Sequence, residues 1–238
     1  MMLIILQLLL AHLIGDFVLQ PQSWVESKEK KGLKSKHFWL HIGVHLILLL
    51  VITKFKLEVL PYVIALTISH LIIDILKIKL KPICSSIVLF FGDQFLHLVC
   101  ILVAAAVYVR LDLGSLINFP DKGFVVLLAL VCTTYVSGVI MKVVLSRWDL
   151  SDLEGEALHK AGWYIGILER LFILGFVCLN YWAGIGFLIA AKSIFRFSDL
   201  SRSKDRKLTE YVLIGTLLSY GLALVTAAAS LQLWDLLS

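Results

Sequence analysis

Charge is what this chain lacks most. Only 16% of its 238 residues are Asp, Glu, Lys or Arg, against about 25% in an average soluble domain. A soluble globule of this length exposes too much surface for so few charges, and a disordered chain does not hold 60% hydrophobic residues. Cysteine is sparse too. The four cysteines, Cys84, Cys100, Cys132 and Cys178, have neither disulfide nor metal spacing, and the last three lie inside apolar runs, so they read as small buried hydrophobes. Alternating ten-residue segments are missing, which argues against a transmembrane β-barrel. No basic segment precedes the first apolar run, and that run holds His12 and Asp16, so a cleaved signal peptide is not expected.

What is present is long apolar runs, with a mean hydropathy of +0.93. They predict an all-α, polytopic transmembrane helix bundle. Runs at 2–20, 37–53, 61–77, 86–109, 123–145 and 208–231 each read as one span. The region 162–197 reads either as one span (171–191) or as two short ones turning near Asn180-Tyr181-Trp182. We expect eight spans, with seven as the alternative. With eight spans and the N-terminus outside, every Lys and Arg lies on the inner side except Lys54, Lys56, Arg110, Lys122 and the intraspan Arg170. Seven spans would place the basic segment around Arg202 to Lys207 outside. The net charge of +5 therefore reads as topology and contact with anionic headgroups, not as nucleic-acid binding.

Two halves are expected. Residues 1–118 form a four-helix metal-binding half. Residues 119–238 form a second transmembrane half with an acidic cytoplasmic loop (146–160) and a basic one (198–207). The acidic loop contains Ser151-x-x-Glu154, the spacing of a capping box for a short surface helix.

The scarce polar residues of the first four spans share one spacing. His12 and Asp16, His41 and His45, His70 and Asp74, and Asp93 and His97 are each four residues apart. On a helix that spacing puts both side chains on one face, one turn apart. Ionisable groups inside a bilayer are costly and usually functional, and two ligands on each of several facing helices are what a metal bound within a bundle needs. With alternating helix directions, Asp16, His41, Asp74 and Asp93 form a layer near the inner side. His12, His45, His70 and His97 form a second layer about 6 Å deeper. So many N and O donors exceed one tetrahedral ion and fit two ions about 3.5–4 Å apart. The expected cofactors are two divalent ions, zinc first, with iron or manganese as alternatives. The expected catalytic groups are Asp16, Asp74 and Asp93. His37 continues the face of His41 and His45 toward the membrane edge. Gly15 and Gly92 each precede an Asp and would let helices approach closely. Gln20 and Gln94 are candidates to orient ligands.

The strings AHLIGDFVLQ (11–20), HIGVH (41–45), SHLIID (69–74), GDQFLH (92–97), AGWYIGILER (161–170) and EYVLIGTLLS (210–219) resemble an uncharacterised bacterial family of multi-pass inner-membrane proteins. That family is catalogued as a domain of unknown function and is sometimes found beside a small regulator. The resemblance runs along nearly the whole chain, with the ordered His/Asp pairs as its specific part. It implies a bacterial inner membrane and no established activity. More distantly, the first half is similar to inner-membrane metal-dependent hydrolases of the LexA-regulated type, which implies hydrolysis.

In the second half, Glu169 and Arg170 lie inside an apolar run. Arg170, or Lys192 with Arg196 four residues on, would bind an anionic substrate headgroup, with Glu169 and Glu210 as further substrate-binding candidates. For Glu169 and Arg170 a role as helix-end charges is the alternative. The leading expectation is a membrane-embedded di-metal hydrolase acting on a lipid or lipid-linked ester or phosphoester. A divalent-metal or proton transporter is the second reading. A di-iron oxygenase or desaturase is the third, disfavoured by the missing HxxHH motif. Haem ligation would not need three Asp.

Overall fold

A computed structural model describes residues 2–111, 121–148, 161–200 and 206–237, without side chains for 121, 195–200 and 206–208. The proposed capping box at Ser151 and Glu154 lies outside the described residues, as do the side chains of the basic segment from Arg202 to Lys207. Every described regular element is helical.

Among the described residues, five segments are long and apolar enough to cross a membrane: Leu57–Leu80, Ser86–Arg110, Lys122–Leu145, Ala161–Cys178 and Thr209–Leu236. The bent pair Met2–Val18 and Gln22–Lys34 makes a sixth. Lys36–Ile52 and Trp182–Ile194 are apolar but shorter. The chain is therefore a multi-pass helical membrane protein, with five or six spans by length among the described residues, where the sequence reading expects eight. The difference lies in the short helices. A helix of 17 residues such as Lys36–Ile52 is about 25 Å long, less than the roughly 30 Å of a hydrocarbon core. Contacts divide the chain into Met1–Leu128 and Ala129–Ser238.

In the first unit, α1 (Met2–Leu13) widens into a π turn over Ile14–Val18. Pro21 has no N–H to continue the helix. The polar α2 (Gln22–Lys31) leaves at 80° to the preceding segment and buries no residue. Gly32 ends α2 with φ +55°, a conformation that glycine adopts without Cβ strain. Three longer helices follow: α3 (Lys36–Ile52), α4 (Leu60–Leu80) and α5 (Ser86–Arg110). Pro61 sits in the first turn of α4, where its missing N–H is harmless. Ser85 caps α5 by accepting from the Val88 N–H. Leu8, Leu49, Val63, Ile101, Ala104 and Ala105 join α1, α3, α4 and α5 in one apolar cluster.

The burial pattern of these helices is the reverse of a water-soluble bundle. Ile47, Ile72, Phe95 and Val103 stand exposed, while His41, His45, His70, Asp74, Asp93 and His97 are buried. An apolar outside and a polar inside suit helices solvated by lipid.

The second unit takes in the end of α6 (Asp121–Val131), a π turn over Cys132–Val136, α7 (Ser137–Leu145), α8 (Ala161–Cys178), α9 (Trp182–Leu200) and α10 (Arg206–Leu236). The chain does turn between α8 and α9 at Asn180, which has φ +53°; Asn tolerates that region better than most residues. Ala223 and Ala227 are fully buried one turn apart on α10, in a cluster with Ile173 and Val177 of α8. Small residues on that stripe let the two backbones pack closely.

The lipid-facing assignment predicts different tolerances for two exposed positions. Val103→Lys, inside α5, is expected to lower insertion by about 2.5–3.5 kcal/mol. Leu57→Lys, beside the start of α4, is expected to insert almost normally, because its side chain can reach the interface. The carbonate-resistant membrane fraction of each variant checks this; equal loss in both would contradict the assignment.

Candidate metal centre

The four His/Asp pairs converge inside the first unit. Asp16 is the focus. Its Oδ1 lies 3.0, 3.3 and 3.8 Å from the Nε2 atoms of His45, His41 and His70, and its Oδ2 lies 3.7 Å from His12 Nε2. His70 occupies the middle of the imidazoles. Its Nε2 is 3.1 Å from His41 Nε2 and its Nδ1 is 3.2 Å from His97 Nδ1. Its ring stacks on those of His45 and His97 at centroid distances of 3.7 and 4.3 Å. Three sets bring their ligand atoms within 4.8 Å of one another: His12, Asp16, His45 and His70; His41, His70 and Asp74; and Asp16, Asp93 and His97. Together these sets contain all eight residues singled out by the i, i+4 spacing, with Asp16 and His70 shared between sets.

Local backbone features make the convergence possible. The π turn of α1 spans Asp16, and such turns recur where a helix presents functional groups. At Gly15 an added Cβ would sit 2.5 Å from His45 Cε1, so only glycine lets α1 pass this close to the His45 ring. Gly92 plays no such part, since a Cβ there would meet nothing within 4 Å.

Three further side chains complete the site. Gln94 bridges the layers: its Oε1 is 3.3 Å from His12 Nε2, and its amide nitrogen donates to Asp16 Oδ2 at 3.0 Å and Asp93 Oδ2 at 3.2 Å. Lys28 of α2 donates to Asp74 Oδ2 at 3.3 Å, and Lys77 of α4 donates to Asp93 Oδ2 at 2.6 Å. Sequence reasoning missed both lysines, counting them only as inner-side charges. Nothing in their spacing marks them, because Lys28 reaches Asp74 only through the fold-back of α2. That fold-back is tied elsewhere by Ser27 to Ser35 (2.8 Å) and by Lys81 to Glu29 (2.9 Å).

The donor chemistry can be tested against a bound cation. Ligands about 2.0–2.1 Å from a tetrahedral zinc stand about 3.4 Å apart. His97 Nε2 and Asp93 Oδ1 are 3.4 Å apart, and both are buried without a hydrogen-bond partner. Buried unpartnered polar atoms are costly unless something outside the protein satisfies them. The lysines hold the Oδ2 atoms of Asp74 and Asp93. The Oδ1 atoms remain 4.0 and 3.4 Å from His97 Nε2. The residues present therefore fit a divalent cation.

Other expected residues lie apart from this cluster. His37 stacks on Trp24 at 5.6 Å. Gln20 has a buried amide nitrogen with no hydrogen bond. In the second unit, Lys192 donates to Glu169 at 2.6 Å, so each is spent on the other. Arg170 is buried, and its guanidinium donates to the Thr133 carbonyl at 2.7 Å, the Thr134 carbonyl at 3.2 Å and Ser219 Oγ at 3.3 Å. Both carbonyls belong to the π turn over Cys132–Val136, which Arg170 thus braces. Glu210 is exposed on α10, and the Arg196 side chain lies outside the described residues.

A family model described as "Protein of unknown function (DUF3307)" matches residues 4–126. The match takes in every residue of the cluster and leaves AGWYIGILER and EYVLIGTLLS outside it. No curated protein and no solved structure matches the chain.

Two predictions follow from these contacts. Gly15→Ala is expected to lower stability by about 1–3 kcal/mol through overpacking against His45, while Gly92→Ala is neutral or slightly stabilising; thermal unfolding in detergent compares them. Arg170→Met removes the charged hydrogen bonds to the Thr133 and Thr134 carbonyls, each worth about 1.5–3 kcal/mol. That variant should lower the melting temperature while leaving the His/Asp cluster's ligand binding unchanged.

Proposed function

We propose, for a chain that belongs to the DUF3307 family of proteins of unknown function, that the His/Asp cluster holds two divalent cations and hydrolyses a lipid or lipid-linked ester or phosphoester. Zinc is the first choice of metal, with iron or manganese as alternatives. The reading rests above all on one observation: ligand-type side chains from four helices share a buried centre in which His97 Nε2 and Asp93 Oδ1 stand 3.4 Å apart with no hydrogen bond from any other group.

The topology we adopt has eight spans, counting α3 and α9 as short ones, in a bacterial inner membrane with the N-terminus outside. The basic α2 then lies at the cytoplasmic surface, and Lys28 and Lys77 mark the cytoplasmic end of the cluster. A membrane lipid with an anionic headgroup is the natural partner at that depth.

Cations bound in such a site acidify a water and polarise a carbonyl or phosphoryl oxygen. The protein's residues divide the remaining work. His12, His41, His45, His70 and His97 bind as neutral imidazoles. Asp16, Asp74 and Asp93 supply carboxylates, and Asp16, with its oxygens nearest the imidazoles, is placed to accept a proton from the attacking water. Gln94, Lys28 and Lys77 hold the carboxylates in position, as outer partners of metal ligands do. In the second unit, Glu169 and Lys192 pair with each other, and Arg170 braces the backbone, so their service to a substrate headgroup is a weaker proposal.

The transporter reading needs access from both sides of the membrane. On the side of the cluster away from the lysines, Leu8, Leu49, Val63, Ile101, Ala104 and Ala105 pack together. That packing favours a site served from one side.

Elemental analysis of purified protein is expected to find about two equivalents of divalent metal, falling in His70→Ala/Asp74→Ala. The protein should also release fatty acid or phosphate from inner-membrane lipids in an EDTA-sensitive reaction. Metal well below one equivalent, or metal unchanged in the double variant, would sink the reading. Metal flux in proteoliposomes without hydrolysis would replace it with transport.

A further inference from the structure

The His/Asp cluster is nearly shut. His41 is 1% exposed, His97 3% and Asp74 5%. At its deep end Leu8, Leu49, Val63, Ile101, Ala104 and Ala105 pack together. At the other end α2 lies across it. Lys28 donates to Asp74, and Trp24 stacks on His37, one turn of α3 from His41. A cation, a water or a substrate reaches the ligands only when one of these covers gives way. α3, α4 and α5 each bury apolar side chains, whereas α2 buries no residue. An element with so little buried apolar surface opens at the least cost.

Both ends of α2 are built to turn. Pro21 before it is extended, with ψ 152°, and Gly32 after it has φ +55° and ψ −134°, a backbone state open without strain to glycine alone. Hinges are commonly a few residues of this kind at the ends of elements. Between them α2 is held by polar tethers: Lys28 to Asp74 at 3.3 Å, Glu29 to Lys81 at 2.9 Å and Ser27 to Ser35 at 2.8 Å. The Lys28 side chain is 13% exposed, that of Lys77 40%, so the carboxylates are covered more closely from α2 than from α4. We propose that α2 is a lid over the cluster, turning on Pro21 and Gly32 and withdrawing Lys28 from Asp74 as it opens. The inference adds control of access to the site and rests on reading the cluster as a ligand centre served from the lysine end. The movement itself requires no metal.

The test locks the lid in the full-length protein, in detergent, with the four native cysteines replaced by alanine and with Ser27→Cys and Ser35→Cys. The two serine oxygens stand 2.8 Å apart, which sets their Cβ atoms near the span of a disulfide. That bond would pin α2 to the start of α3 across Gly32. After EDTA treatment, diethyl pyrocarbonate modifies the imidazoles it can reach, and peptide mass spectrometry reads His41 and His70. Oxidation is expected to slow their modification about tenfold or more, and reduction to restore it. One protein is compared with itself, so loss of fold cannot imitate the effect. Gly32→Ala in the otherwise unaltered chain should act in the opposite direction. The nearest atom to the added Cβ, Ile78 Cγ2, is 3.9 Å away, so the substitution strains only the closed backbone, and modification should rise about fivefold or more. Zinc uptake by the metal-free protein, followed with a fluorescent indicator, should shift in parallel. Equal modification of oxidised and reduced protein overturns the lid even if the chain carries two metal ions, and so does a Gly32→Ala rate at or below that of the unaltered chain. Histidines that answer to the lock in a protein that takes up no zinc would keep the lid and remove the hydrolase reading.

Discussion

The Asp16 carboxylate, held among the imidazoles of His41, His45 and His70, is the contact about which the first unit is arranged. A carboxylate taken out of water into an apolar bundle is costly unless it is paired and hydrogen-bonded. The structure meets that requirement from every side. α3 and α4 bring imidazoles, α5 brings Gln94, and α1 carries Asp16 on a π turn beside a glycine that makes way for His45. Take away the need to satisfy that charge, and nothing explains why these helices approach so closely over polar rather than apolar residues.

The same requirement accounts for α2. A polar helix turned by 80° and burying none of its residues contributes no core. It contributes Lys28, whose ammonium meets Asp74, as Lys77 meets Asp93. These lysines bond one oxygen of each carboxylate and leave the other facing His97. They thus narrow the carboxylates' freedom without filling the centre, the condition under which ligands are preorganised.

The second unit meets the cost of buried charge differently. Glu169 takes Lys192, and Arg170 donates to the Thr133 and Thr134 carbonyls of the π turn. Within each of these contacts a protein donor answers a protein acceptor. In the first unit His97 Nε2 and Asp93 Oδ1 are left facing each other without a hydrogen bond. This contrast, more than the number of polar residues, distinguishes the bracing contacts of Glu169 and Arg170 from the centre proposed to hold cations.

Much of this was legible in the chain itself. Scarce charge and long apolar runs determined a helical membrane protein, because a hydrocarbon surround admits few alternatives for the backbone. The i, i+4 spacing determined which His and Asp share faces, because the helix has 3.6 residues per turn. Tertiary structure decided the rest. Only the packed bundle shows that Asp16 lies among the imidazoles of α3 and α4, since the distances between helices are absent from any local pattern. Only the fold-back of α2 turns Lys28 from an orientation charge into a partner of Asp74. Only the packing of α8 against the π turn over Cys132–Val136 makes Arg170 a backbone brace, since a contact with backbone carbonyls leaves no mark in the residue types. Periodicity acts along one helix, whereas pairing of buried charge acts between helices, and that difference divides what the sequence determined from what the fold decided.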